Sequence, residues 1–165
     1  MSEGTLTQNK QQHYSNTYSY NVNPLRKAWV DLLGRYNWDW FATLTFRSPP
    51  TTYTANNRLK RWIRAIEEQE KRKVGYYKGM EFTRSGVPHF HLLMGNLDGV
   101  RRDKYWEFWF RENGRARILP YDSKLGAGYY LTKYVVKDEY INIEGWDIRG
   151  VEYLNQLRFS GLDIE

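Results

Sequence analysis

Apolar and polar positions change period several times along the chain. After Asn23-Pro24, Leu25, Ala28, Trp29, Leu32 and Leu33 recur at helical spacing, which predicts a helix up to Gly34. FATLTF (Phe41 to Phe46) alternates and is β-prone, so it predicts a strand, closed by Pro49-Pro50. From Thr54 to about Lys73, Leu59, Trp62, Ile63 and Ile66 form one stripe. Arg58, Lys60, Arg61 and Arg64 lie away from it, giving an amphipathic helix with a basic outer face. Two strands follow, Tyr76–Thr83 and Pro88–Met94, joined by Arg84-Ser85-Gly86. Asp103 to Glu112 reads as a short aromatic helix, Arg115 to Leu119 as a strand, Ser123 to Lys137 as a helix and Tyr140 to Ile143 as a last strand. Helices and strands mix irregularly around a central hairpin, which predicts an α+β domain with an antiparallel sheet. Residues 1–22 are polar and poor in aliphatics and read as a loose arm.

Composition narrows the chemistry. Hydrophobic residues make up 41% of the 165 positions, enough for a real core. The absence of cysteine excludes a disulfide scaffold, a cysteine zinc site, an iron–sulfur cluster and a cysteine nucleophile. No P-loop motif occurs, and no apolar run reaches the length of a membrane span or a signal peptide, so a soluble cytoplasmic protein is expected. Charge is unevenly spread. Residues 138–165 hold two basic and seven acidic residues, a net of −5, whereas residues 1–137 are net +11. A basic body with many aromatics suits a nucleic-acid partner, because cations meet phosphates and rings stack on bases.

Two of the three histidines form His89-Phe90-His91. Residues i and i+2 of a strand share a face, so both imidazoles project together. With Gly86 as the left-handed residue of a three-residue loop, Thr83 pairs with Val87, Glu81 with His89 and Gly79 with His91. Two imidazoles and one carboxylate are thereby assembled by local pairing alone. Such a set suits Mn²⁺ or Mg²⁺ with open positions for water or phosphate, and zinc also fits.

The segment from Gly126 to Lys137 carries the second constellation. At about 100° per residue, Tyr130, Lys133, Tyr134 and Lys137 share an arc of roughly 100°. Two phenols and two ammoniums therefore share one helix face. Cations beside a phenol favour its phenolate and can neutralise a phosphate under attack.

Together these pieces resemble the HUH endonuclease superfamily, in particular the replication initiators (Rep) of rolling-circle plasmids and single-stranded DNA viruses. FATLTF is similar to their first motif, Pro88-His89-Phe90-His91-Leu92-Leu93 to their His-hydrophobe-His motif, and Tyr130-Leu131-Thr132-Lys133-Tyr134-Val135-Val136-Lys137 to the motif of two-tyrosine initiators. Glu81 sits where several relatives carry the third metal ligand. The resemblance covers about residues 38 to 140, so 23–140 is the expected catalytic domain and 141–165 an acidic extension on or after it.

The resemblance implies a ferredoxin-like (RRM-like) fold with a five-stranded antiparallel sheet. It implies metal-dependent nicking and joining of single-stranded DNA, with the metal on Glu81, His89 and His91. Tyr130 would be first nucleophile and Tyr134 second or structural, supported by Lys133 and Lys137. Thr43, Thr45, Arg58, Arg61 and Arg84 are the expected DNA contacts, an origin hairpin the expected substrate, and a separate helicase the expected partner. A single-tyrosine transposase of the same superfamily and a non-catalytic ferredoxin-like nucleic-acid-binding module are the alternatives; transposon-end preference marks the first, metal-independent binding without a covalent adduct the second.

Overall fold

A computed structural model describes residues 24–135 and 147–155. Their order is α1 (Pro24–Leu33), β1 (Trp40–Thr45), α2 (Thr52–Glu70), β2 (Gly75–Phe82), β3 (Pro88–Gly95), α3 (Asp103–Glu112), β4 (Ala116–Pro120), α4 (Gly126–Val135) and β5 (Asp147–Arg149), followed by a 3₁₀ turn at Val151–Tyr153. The five strands form one sheet in the order β4-β1-β3-β2-β5. Every neighbouring pair is antiparallel. This is the α+β, ferredoxin-like arrangement expected.

The two faces of the sheet serve different cores. Trp40, Ala42 and Leu44 of β1 and Phe90, Leu92 and Met94 of β3 point to one side. There they pack against Ala55, Leu59, Trp62, Ile63 and Ile66 of α2 and Tyr105 and Trp109 of α3. The α2 stripe is the one its sequence spacing predicts, extended by Ala55. Trp62 is fully buried and its indole donates to the Tyr105 carbonyl at 2.9 Å, so the largest apolar side chain of the layer leaves no polar atom unpaired. Thr51 caps α2 by accepting the Thr54 amide at 3.1 Å.

The other face holds Phe41, Tyr77 and Leu93, covered by Leu33 of α1 and Ala127 and Tyr130 of α4. A Cβ at Gly128 would lie 3.3 Å from a Val30 methyl, so that glycine permits the close approach of α1 and α4. In α1, Ala28 is exposed although the apolar spacing includes it. The helix is short and only one side of it meets the sheet, through Leu33 and the half-buried Trp29 and Val30. The segment expected as an acidic extension supplies β5 and the buried Leu154. The strand expected at Tyr140–Ile143, Lys137, the N-terminal arm and residues 156–165 lie outside the described residues.

Candidate metal centre

The central hairpin sets the site. Gly86 has φ +78°, and the Thr83 amide donates to the Val87 carbonyl at 2.9 Å, which closes the three-residue loop. Pairing then runs Glu81↔His89 and Gly79↔His91. This is the register expected from the loop; a slip of one residue would send Glu81 to the opposite face.

Nε2 of His89 lies 3.0 Å from Glu81 Oε2, and Nε2 of His91 lies 3.1 Å from the same oxygen. Glu81, His89 and His91 offer ligand atoms within 4.8 Å of one another. At a metal–oxygen distance of about 2.1 Å, adjacent corners of an octahedron stand about 3.0 Å apart. The two carboxylate–imidazole separations therefore fit a divalent ion bound on one triangular face, with further positions left for water or phosphate.

Support for the ligands comes from β1. Thr43 faces His91 in register, and its hydroxyl lies 3.3 Å from His91 Nδ1. That contact leaves Nε2 directed at Glu81 and fixes the ring in the manner of a metal-ligand orienter. Phe41 stacks on the same imidazole, with centroids 6.4 Å apart and planes 7° apart. Access is graded: the His91 side chain is 5% exposed, His89 18% and Glu81 30%.

Electrostatics follow from that geometry. Burial alone would raise the Glu81 carboxyl, but hydrogen bonds and charge from His89 and His91 outweigh it and bring the group down to about 2. Burial pushes His91 below its ordinary value, partly offset by Glu81. The cluster thus favours an ionised carboxylate beside a neutral, buried imidazole, the protonation states a metal ion needs.

Comparison with known families now adds to the geometry. Residues 39–139 match the family model described as Replication-associated protein ORF2. The chain belongs to that family. Neither the curated proteins nor the solved structures give a match. The matched segment of this replication-associated protein contains β1, the metal hairpin and α4.

The remaining site residues of this family member divide by layer. Thr43 and Thr45 share the face of His89 and His91. Arg84 is exposed at the hairpin tip. Arg58 and Arg61 sit on α2, across the sheet from the cluster; Arg58 lies over the Phe46 ring at 5.9 Å. They are not brought to Glu81. Lys133 and Tyr134 belong to α4, and their side chains lie outside the described ones.

Tyr130 is 7% exposed, and its ring packs on Phe41 at 4.8 Å and Tyr121 at 4.9 Å. Its hydroxyl oxygen accepts the Asp122 amide at 2.9 Å. Phe41 therefore touches both His91 and Tyr130, linking the hairpin to the tyrosine helix. Sequence reasoning did not identify Phe41 or Asp122; the alternation of FATLTF puts Phe41 on the Thr43 face, but nothing local signals the Asp122 contact.

Proposed function

We propose that the chain is an HUH-type replication initiator that nicks and rejoins single-stranded DNA through a tyrosine of α4. The observation that carries this reading is the convergence of Glu81, His89 and His91 on the sheet face that α4 also covers. A divalent ion held by these three residues supplies Lewis-acid polarisation of the scissile phosphate. The tyrosyl oxygen attacks phosphorus, the bond to the 3′-oxygen breaks, and the 3′-hydroxyl leaves with a proton. The phosphate stays on the tyrosine as a 5′-phosphotyrosine, so a later 3′-hydroxyl can reverse the step without an external energy source.

The chain's own residues orient and neutralise. Thr43 and Phe41 hold the His91 ring. Thr45 occupies the next position on the same face. Lys133 and Lys137, at helical spacing from Tyr130, are assigned to phosphate or phenolate charge, and Arg84 to the incoming strand. Between the two tyrosines, the burial of Tyr130 and its bond to Asp122 favour Tyr134, one turn further along α4, for the first attack. Tyr130 acts in the second transfer after leaving Asp122. The reading includes an origin hairpin as substrate and a separate helicase for unwinding.

The test is cleavage of a labelled single-stranded oligonucleotide carrying the element's origin, run on a denaturing protein gel with Mn²⁺, Mg²⁺ or chelator. A protein band shifted by covalent DNA, formed only with metal, is expected. Binding without any adduct would support a nucleic-acid-binding module without chemistry.

A further inference from the structure

We propose that Arg115 and Arg117 form a phosphate track on the metal face, carrying the substrate strand from the β4 edge to Glu81, His89 and His91. The proposal rests on the reading that single-stranded DNA is the substrate, and it names the residues that hold it.

Register supplies the first support. Thr43 pairs with Arg117 on one side and with His91 on the other, and His91 pairs with Gly79. Directly paired residues share a face, so Arg117, Thr43, His91 and Gly79 form one row across the sheet. One step along, Thr45 pairs with His89, which pairs with Glu81. The Thr45 amide donates to the Arg115 carbonyl at 2.8 Å, which continues that row to Arg115. Neighbouring strands lie about 4.8 Å apart, so Arg117 starts about 10 Å from His91, and its long side chain shortens that gap. Thr43 and Thr45 stand between, offering hydroxyls to a phosphate backbone.

Availability supplies the second. Both arginines are exposed on an edge strand. Among the described residues, neither has a side-chain hydrogen bond or an ion pair. Other arginines are engaged: Arg47 with the Phe110 and Arg111 carbonyls, Arg101 with Asp103, Arg149 with Asp147. Two unpaired cations side by side repel each other, and a polyanion relieves that repulsion. Tyr130 and Ala127 of α4 pack with Phe41, Leu93 and Tyr77, one row away from Thr43 and His91.

The experiment is fluorescence anisotropy of a short labelled single-stranded oligonucleotide of mixed sequence, in chelator and over a range of salt. Arg115→Ala/Arg117→Ala is expected to lose about tenfold in affinity at physiological salt and to flatten the log–log salt slope by about 1.4, two phosphate contacts' worth. Arg115→Lys/Arg117→Lys should recover most of the affinity. Lys60→Ala/Arg64→Ala on α2 removes the same charge and should stay within about twofold of wild type. Circular dichroism verifies that each variant is folded. An unchanged Arg115→Ala/Arg117→Ala variant, an equal loss in the α2 variant, or no binding by wild type overturns the track. Metal-free binding separates the two claims: wild type that uses the track but forms no adduct with Mn²⁺ sinks the nicking reading alone, and adduct formation with indifferent arginine variants sinks the track alone.

Discussion

Replacing Tyr130 by Phe removes one oxygen and leaves the ring in place. The lost group accepts the Asp122 amide at 2.9 Å. Asp122 is exposed, so its amide regains water, and the net cost is about 1 kcal/mol rather than that of a buried orphan donor. The ring contacts with Phe41 at 4.8 Å and Tyr121 at 4.9 Å survive. For a chain of this size, about 1 kcal/mol lowers Tm by about 2–4 °C. Tyr130→Ala, which empties the ring's site, should cost about 3–5 kcal/mol by analogy with Phe truncation. The assay pairs a thermal melt with the covalent-adduct gel on origin single-stranded DNA and Mn²⁺. With Tyr134 making the first attack, Tyr130→Phe keeps most of the adduct despite its lower Tm, whereas Tyr134→Phe falls to background. Loss of adduct in Tyr130→Phe with full adduct in Tyr134→Phe would refute this assignment and return the first attack to Tyr130.

Three further outcomes follow from the same geometry. Saturating Mn²⁺ should stabilise the fold by about 2.7 kcal/mol at a hundred times Kd, visible as a rise in Tm that Glu81→Ala abolishes. In chelator, Glu81 and His91 both take up protons less readily folded than unfolded, with ordinary values of 4.5 and 6.5. Stability should therefore be full above pH 6.5 and fall as pH is lowered towards 2, and in Glu81→Gln the loss between 4.5 and 2 should shrink in urea titrations. Gly86→Ala places a side chain at φ +78° in open space and should cost about 1–2 kcal/mol in chemical unfolding, while Gly86→Asn costs less.

What could be read from the chain was local. The Glu81–His89 register follows from three loop residues and the glycine that fits their left-handed position, so no distant contact was needed. The α2 stripe was likewise legible because a single face of a long helix meets one sheet. Strand order was not, since nothing near residue 117 says that it neighbours Thr43. For that reason Arg115 and Arg117 escaped notice, while Arg58 and Arg61, conspicuous on a basic helix, turned out to lie across the sheet from the cluster. Helical angles put Tyr130 on a face but could not show that Phe41 and Tyr121 bury it. At three residues, β5 is too short to produce an alternation.

The most direct measurement is a Mn²⁺ titration of the folded chain followed by electron paramagnetic resonance, in wild type and in His89→Ala/His91→Ala. One Mn²⁺ per wild-type chain is expected, with its signal broadened on binding, and none in the double variant. Equal binding by both proteins, or none by wild type, would contradict the account at its centre.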